Sequence, residues 1–274
     1  MDDAPGGYDA VYREFDSPLW RRIRRHAYGE DIGQHSWTSA AELRDDLSRL
    51  GLRPGRRLLD CGCGPGGALV FLIAESGCEG VGLDRSRVAV ELAGARAAAA
   101  GLTDRFEARV ADLDAPLPSD LVDLDAVVAI DVVIHLRHSE RFFAEVATRL
   151  RTGGRFLVVD AGVRTGPVTA EEWARRSLHG PTRMVEPGEN ERLLAGAGLR
   201  LVEIEDRTAQ VARAARGRLD AYRHHRAELE ASWGREQLEG QLAYLETVLA
   251  LSERRAVSRF AYLTEPLVGV GPAH

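Results

Sequence analysis

The chain has 274 residues, 45% hydrophobic and 28% charged, the proportions of an ordinary globular protein with enough apolar material for a sizeable core. Its formal charge of −6 argues against a nucleic-acid binder, which usually presents a basic face. All 36 basic residues are arginine and none is lysine, which excludes Schiff-base chemistry, pyridoxal-phosphate anchoring and the lysine of phosphate-binding loops.

Met1 to Gly7 is acidic and turn-like, unlike the basic, apolar start of a secretory signal. No run reaches the roughly 18 apolar residues of a membrane span, so a cytoplasmic protein with no membrane partner is expected. Arg21-Arg22-Ile23-Arg24-Arg25 reads as a solvated helix face. From Ser39 to Leu50 the leucines at 43, 47 and 50 give an amphipathic helix, stopped by Gly51 and Pro54-Gly55. The pattern then alternates. Arg57–Cys61, Gly80–Leu83, Phe106–Ala111, Ala126–Ile130 and Arg155–Val159 read as strands. Ala68–Glu75, Ser86–Ala100 and Ser139–Leu150 read as helices between them. Such alternation predicts a parallel sheet covered by helices on both faces. Gly162 to Glu186 is too long for an ordinary turn and is a candidate lid. A helix over Glu189–Ala197, a sixth strand over Leu199–Ile204, two inserted helices and a last strand over Val257–Leu263 complete the chain. Cys61, Cys63 and Cys78 are odd in number and contain no C-x-x-C pair, so neither a disulfide framework nor a metal site is expected.

Leu58 to Gly67, reading LLDCGCGPGG, joins the first strand to the first helix. Gly62, Gly64 and Gly67 satisfy G-x-G-x-x-G, and Asp84 lies 20 residues beyond Gly64. That is a dinucleotide fingerprint, and an NAD-dependent oxidoreductase is one reading of it. Asp60 favours another ligand, because a carboxylate there suits the ammonium and sulfonium of S-adenosylmethionine better than a pyrophosphate. Asp112 supplies a further acid after the third strand.

These segments, with Gly82-Leu83-Asp84, Ala111-Asp112-Leu113 and the Gly153-Gly154-Arg155 turn, resemble the class I S-adenosylmethionine-dependent methyltransferases over about Ser39 to Asp160. Tyr28 to Gln34 and Val257 to Leu263 are similar to the glycine/sarcosine and phosphoethanolamine N-methyltransferase branch, whose layout small-molecule natural-product methyltransferases share. The resemblance implies an α/β, Rossmann-like fold of seven strands in the order 3-2-1-4-5-7-6, with strand 7 antiparallel. It implies one methyltransferase domain: an N-terminal helical cap over 1–38, a cofactor-binding core over 39–160, and the lid, last strands and helical insertion over 161–274. The cofactor would be S-adenosylmethionine, leaving as S-adenosylhomocysteine. Asp84 would accept the ribose hydroxyls, and Gly62 and Gly64 would lie under the methionine part. Asp60, Cys63 and Arg85 would complete that shell, Asp112 and Leu113 would hold the adenine, Ile130 would lie beneath, and Gln34 and Trp37 would cover it. The partner would be a small-molecule acceptor, methylated on nitrogen, oxygen or carbon. A non-methylating protein on the same fold stays open.

His135 follows the fourth strand at the edge where open α/β sheets bind ligands, and reads either as a general base or as a packing residue under the lid. By the same resemblance Asp131 faces the substrate. The tyrosine that partners the histidine in the phosphoethanolamine enzymes finds no clean counterpart, since the aligned stretch is Glu14-Phe15-Asp16 and Tyr12 is only near it. Trp173, Arg175, Arg176 and Arg183 on the lid are candidates to touch substrate, the arginines through a carboxylate or phosphate, Trp173 and Arg183 foremost.

Overall fold

Short apolar runs bounded by turns build the centre of the molecule. A computed structural model describes residues 8–178 and 180–267; the turn-like reading of Met1 to Gly7 falls outside them. Seven strands form one sheet: β1 (Arg57–Cys61), β2 (Glu79–Asp84), β3 (Phe106–Val110), β4 (Leu124–Ile130), β5 (Leu150–Arg164), β6 (Leu199–Asp206) and β7 (Val257–Pro266). Their order is β3-β2-β1-β4-β5-β7-β6, with β7 antiparallel to both neighbours, as the resemblance implies. Arg57 lies opposite Glu79 and Cys61 opposite Leu83, which brings the carboxyl ends of β1 and β2 level. Nearly every residue of β4 is buried, because helices cover both faces and no side of the strand meets water.

The helices are α1 (Tyr8–Arg13), α2 (Pro18–Tyr28), α3 (Ala40–Leu50), α4 (Gly67–Ser76), α5 (Arg87–Ala99), α6 (Ser139–Arg149), α7 (Ala170–Arg176), α8 (Glu189–Gly196), α9 (Thr208–His224), α10 (Arg226–Trp233) and α11 (Arg235–Glu253). Ser39 and Glu42 cap α3 reciprocally, and Gly51 closes it in the left-handed conformation. The insertion before β7 holds three helices where the sequence suggests two. The break at His225 is a single non-helical residue with no glycine or proline to announce it. The presumed lid is also shorter, because β5 runs on to Arg164 and α7 occupies its middle. Among the described residues no helix is long and apolar enough to cross a membrane.

The helices α2, α9 and α11 share a separate apolar cluster that includes Trp20, Ile23, Trp37, Val211, Leu219 and Leu245. The basic run on α2 is not uniformly solvated: Arg24 is buried and paired with Asp31 at 2.6 Å, while Arg21, Arg22 and Arg25 are exposed. A second buried guanidinium, Arg259 on β7, fastens these layers to the sheet. It is fully buried, donates to both oxygens of Asp131 at 2.9 and 3.1 Å, and reaches Glu42 at 2.9 Å and the Thr38 hydroxyl. The other oxygen of Glu42 accepts the Ser39 backbone N–H, so one carboxylate both caps α3 and holds Arg259.

Replacing Arg259 with methionine would strand two buried carboxylates. Breaking a buried pair from one side costs about 3–5 kcal/mol, and urea denaturation should show a loss of that size. A loss below about 1 kcal/mol, the worth of an exposed pair, would show that the network does not carry the fold.

Candidate active site

The carboxyl edge of the sheet is shaped first by what its glycines lack. Gly62 sits at φ 80°, and a Cβ there would come within 2.5 Å of Val132. The N–H groups of Gly62 and Cys63 both donate to the Leu83 carbonyl, at 2.7 and 3.0 Å, which folds the loop back over β2. Gly64, at φ 52°, donates its N–H to Asp84 at 2.8 Å, and Ser86 donates to the other Asp84 oxygen at 2.9 Å. Two amides therefore aim this carboxylate. Burial still raises the Asp84 pKa, against the pull of those amides. Asp60, on β1 below the loop, is almost wholly buried, and burial first and Asp84 second push its pKa up to about 7.

The other expected contacts differ in their surroundings. Cys63 is buried, its thiol pushed up by burial, and its sulfur fills the space over Gly82. Arg85 and Asp112 lie exposed after β2 and β3, Asp112 accepting the Asp114 N–H at 2.9 Å. Leu113 and Ile130 are buried beside them. Gln34 folds into its own turn, accepting from the Ile32 N–H at 3.0 Å and donating to the Glu30 carbonyl at 3.1 Å. The Trp37 ring packs on Tyr244 at 6.3 Å under the Arg218 guanidinium, and the Trp37 backbone N–H donates to Asp131 at 2.9 Å. Asp131 is thus occupied by Arg259 and Trp37. The structure makes it a tie between cap and sheet, where the sequence reading has it face substrate. Arg183 likewise bonds Ser139 at 2.9 Å and pairs with Glu189, away from the expected grip on an acceptor. Trp173 is half-buried on α7.

His135 ends a single 3-10 turn, Val133–His135, after β4. Asp160 at the edge of β5 accepts the Ile134 N–H at 2.8 Å and so pins that turn. The His135 Nδ1 lies 3.3 Å from the Pro181 carbonyl, which can only accept, so Nδ1 carries the proton. Nε2 is then the basic nitrogen, and it faces the Tyr8 hydroxyl at 3.0 Å. The histidine does have a tyrosine partner, and it is Tyr8. Tyr8 stacks on Tyr12 at 5.9 Å, and the Tyr12 hydroxyl would lie 3.4 Å from a Cβ on Gly64. The cap therefore lays two tyrosines between the glycine loop and the histidine. Tyr8 and Tyr12 lie about one turn apart on α1, with Phe15 just beyond its end.

A twisted parallel sheet with an antiparallel final strand, and a bare glycine loop flanked by acids at its carboxyl edge, defines a Rossmann-like nucleotide-cofactor enzyme. Comparison with known proteins gives the family. The methyltransferase domain profile matches residues 34–204. The 27-O-demethylrifamycin SV methyltransferase of Amycolatopsis mediterranei is 31% identical over 205 residues, 73% of this chain and 74% of that protein. Methyltransferase GfsG of Streptomyces halstedii is 32% identical over 169 residues, 59% of each protein. Among solved structures, a phosphoethanolamine N-methyltransferase of Haemonchus contortus has a TM-score of 0.78 at 18% identity, over 93% of this chain and 60% of that one. This chain belongs to the class I S-adenosylmethionine-dependent methyltransferases.

The residues present fit that cofactor. The loop has no Cβ where a ligand must approach, Asp84 is an oriented acceptor, and Asp60 is a buried acid that a nearby cation would return to its charged form. Proton release from Asp60 should accompany binding of the amino-acid end. Affinity for S-adenosylhomocysteine is expected to rise about fivefold from pH 6 to pH 7 as a group of pKa near 7 ionises, and Asp60→Asn should flatten the dependence. Calorimetry at the two pH values checks this, and equal affinities in the parent would place the ammonium elsewhere.

Proposed function

We propose that this enzyme methylates an oxygen or nitrogen of a small molecule of specialised metabolism, and that Tyr8 and His135 together remove the proton which that atom must lose. The observation that carries the reading is the 3.0 Å contact between the Tyr8 hydroxyl and His135 Nε2 at the carboxyl edge of the sheet. When bound, S-adenosylmethionine supplies an electrophilic methyl group on sulfur. Asp84 accepts from its ribose hydroxyls, Gly62 and Gly64 let it lie close to the backbone, and Asp60 pairs with its ammonium. Asp112 and Leu113 border the adenine.

Transfer from such a leaving group needs alignment and exclusion of water more than it needs activation. A protic acceptor adds one requirement, a base. Burial holds the His135 pKa below the ordinary histidine value, so the imidazole is neutral near pH 7. Burial also raises the Tyr8 pKa, so a free phenolate is costly there. The two facts favour a relay: the acceptor proton passes to the Tyr8 oxygen as the Tyr8 proton passes to Nε2. The oxygen methylation named for the Amycolatopsis relative supports an acceptor of this kind. A cytoplasmic setting suits three buried free thiols.

Two outcomes follow. Asp84→Ala should weaken S-adenosylmethionine binding about tenfold to a hundredfold, the worth of hydrogen bonds to a charged acceptor, as read by calorimetry. His135→Ala should lower kcat by about 10²–10⁴ while leaving cofactor affinity in place, with Tyr8→Phe in the same direction. The parent rate should rise with pH through a midpoint below the usual histidine value of about 6.5 and then level off, because only the neutral imidazole accepts a proton. An alanine variant with the parental rate and pH profile would make His135 structural.

A further inference from the structure

The cap helix that carries Tyr8 is seated along α5. The Ser86 hydroxyl just before that helix donates to Asp9, and Ala89, in its first turn, packs with Tyr12 and Phe15. Near the other end, Arg96 Nη2 donates to Asp16 at 2.6 Å, in the turn between α1 and α2. The same guanidinium reaches the glycine loop, donating from Nε to the Pro65 carbonyl at 3.0 Å. One side chain therefore joins the cofactor loop to the turn from which α1 hangs.

Two glycines make room for this clamp. A Cβ on Gly33 would overlap the Arg96 guanidinium, and a Cβ on Gly67, the last glycine of the fingerprint, would overlap the Gly33 carbonyl. The entry segment is thus wedged between Arg96 and the start of α4. Asp31 holds it in place, accepting the Gly33 N–H at 2.9 Å and Arg24 at 2.6 Å, and Arg24 also donates to the Phe15 carbonyl at 2.5 Å. The side chains of Arg96 and Asp16 are 17% and 26% exposed, and a pair that accessible adds little to stability. Its consequence is placement. Asp16 lies only three residues beyond α1, and the 3.0 Å contact of Tyr8 with His135 survives a displacement of no more than a few tenths of an ångström.

We propose that Arg96 is a positioning residue for methyl transfer: by joining Asp16 to the Pro65 carbonyl it sets the height of α1 over the glycine loop and so holds the Tyr8 hydroxyl against His135 Nε2. The planar guanidinium suits the task, since its Nε and Nη2 donors point in fixed directions and can serve a carboxylate and a carbonyl together. The loop that receives the cofactor and the pair that receives the proton then share one frame, which a reaction governed by alignment requires. This inference deepens the proton-relay reading of the same site and rests on it.

The test follows His135 by NMR in histidine-labelled protein loaded with S-adenosylhomocysteine, its signals assigned by their loss in His135→Gln. Two quantities are read, the titration midpoint of His135 and the nuclear Overhauser contact between the Tyr8 and His135 rings. The charges that face His135 are Arg176 on α7, Asp131 after β4 and Arg85 after β2, and the test variants leave all three in place. Arg96→Met removes a positive charge and Asp16→Asn a negative one, so a direct field effect would move the midpoint in opposite directions. Both variants are instead expected to raise it by at least about half a unit, toward the ordinary value of about 6.5, and to weaken the ring contact, as Tyr8 withdraws and water reaches the imidazole. Arg96→Lys, which can reach Asp16 but cannot also serve Pro65, should fall between Arg96→Met and the parent. Asp16→Asn, at a partly exposed position, answers the question even where Arg96→Met fails to fold. Parental midpoint and ring contact in the variants, or opposite shifts with the ring contact kept, overturns the proposal. A parent His135 that titrates at the ordinary value with no Tyr8 contact would instead sink the proton-relay reading itself.

Discussion

The assembly turns on one guanidinium. Arg259 lies on β7, in the part of the sheet laid down last, and its ionic partners come from two early parts of the chain: Glu42 on α3 and Asp131 after β4. Placing a full charge at zero exposure is tolerable only because nearly every donor is used. Once that condition is met, much else is fixed. Asp131 can hold a positive φ of 54° and still give an oxygen to the Trp37 N–H, so the segment that closes the cap is tied to the end of β4. The 3-10 turn bearing His135 begins two residues later. A strand near the C-terminus thereby sets the height of the cap over a histidine in the middle of the chain.

The candidate site is delivered by three elements of unlike stiffness. The sheet edge provides Asp60, Asp84 and the glycine loop, all held by strand pairing and backbone amides. The 3-10 turn provides His135, pinned from below by Asp160. The cap helix α1 and the segment after β5 lie against them, Tyr8 and Tyr12 on one side and Pro181 on the other. In the proposed reading the rigid part holds the cofactor and the parts joined by side-chain contacts hold the acceptor. That division lets one sheet serve many acceptors through changes in the covering segments.

The same division explains what the sequence shows. The glycine loop is legible because its constraint is local: a strand must turn within a few residues, and Gly62 and Gly64 are where a side chain would strike Val132 or crowd Tyr12. The parallel sheet follows from alternation, whereas strand order and the antiparallel last strand come from family likeness alone. The bond of Asp131 to Arg259 is not legible because the two are 128 residues apart, and a carboxylate at a strand end carries no mark of who will claim it. Arg183 and Gln34 have near partners in the chain, Glu189 for the one and its own turn for the other, contacts that the sequence does not mark either. Tyr8 is missed because α1 has only six residues, too few for a periodic pattern to stand out, and an aligned stretch several residues later draws attention away.

Proton positions in the site are set by dehydration before any specific partner acts. Burial is the leading cause at Asp60 and Asp160, both pushed up to about 7, and at His135, which it moves down. A dehydrated site thus favours neutral groups, and each ligand charge that enters restores the charge opposite to it. The segment after β5 contributes direction, since its Pro181 carbonyl fixes the proton on Nδ1 and leaves the Nε2 lone pair facing Tyr8. In the proposed mechanism, covering the acceptor and orienting the base would be one event, made by one segment of backbone. A histidine left open to water would lose both its depressed pKa and its defined tautomer, and with them the ability to accept a proton in one place at neutral pH.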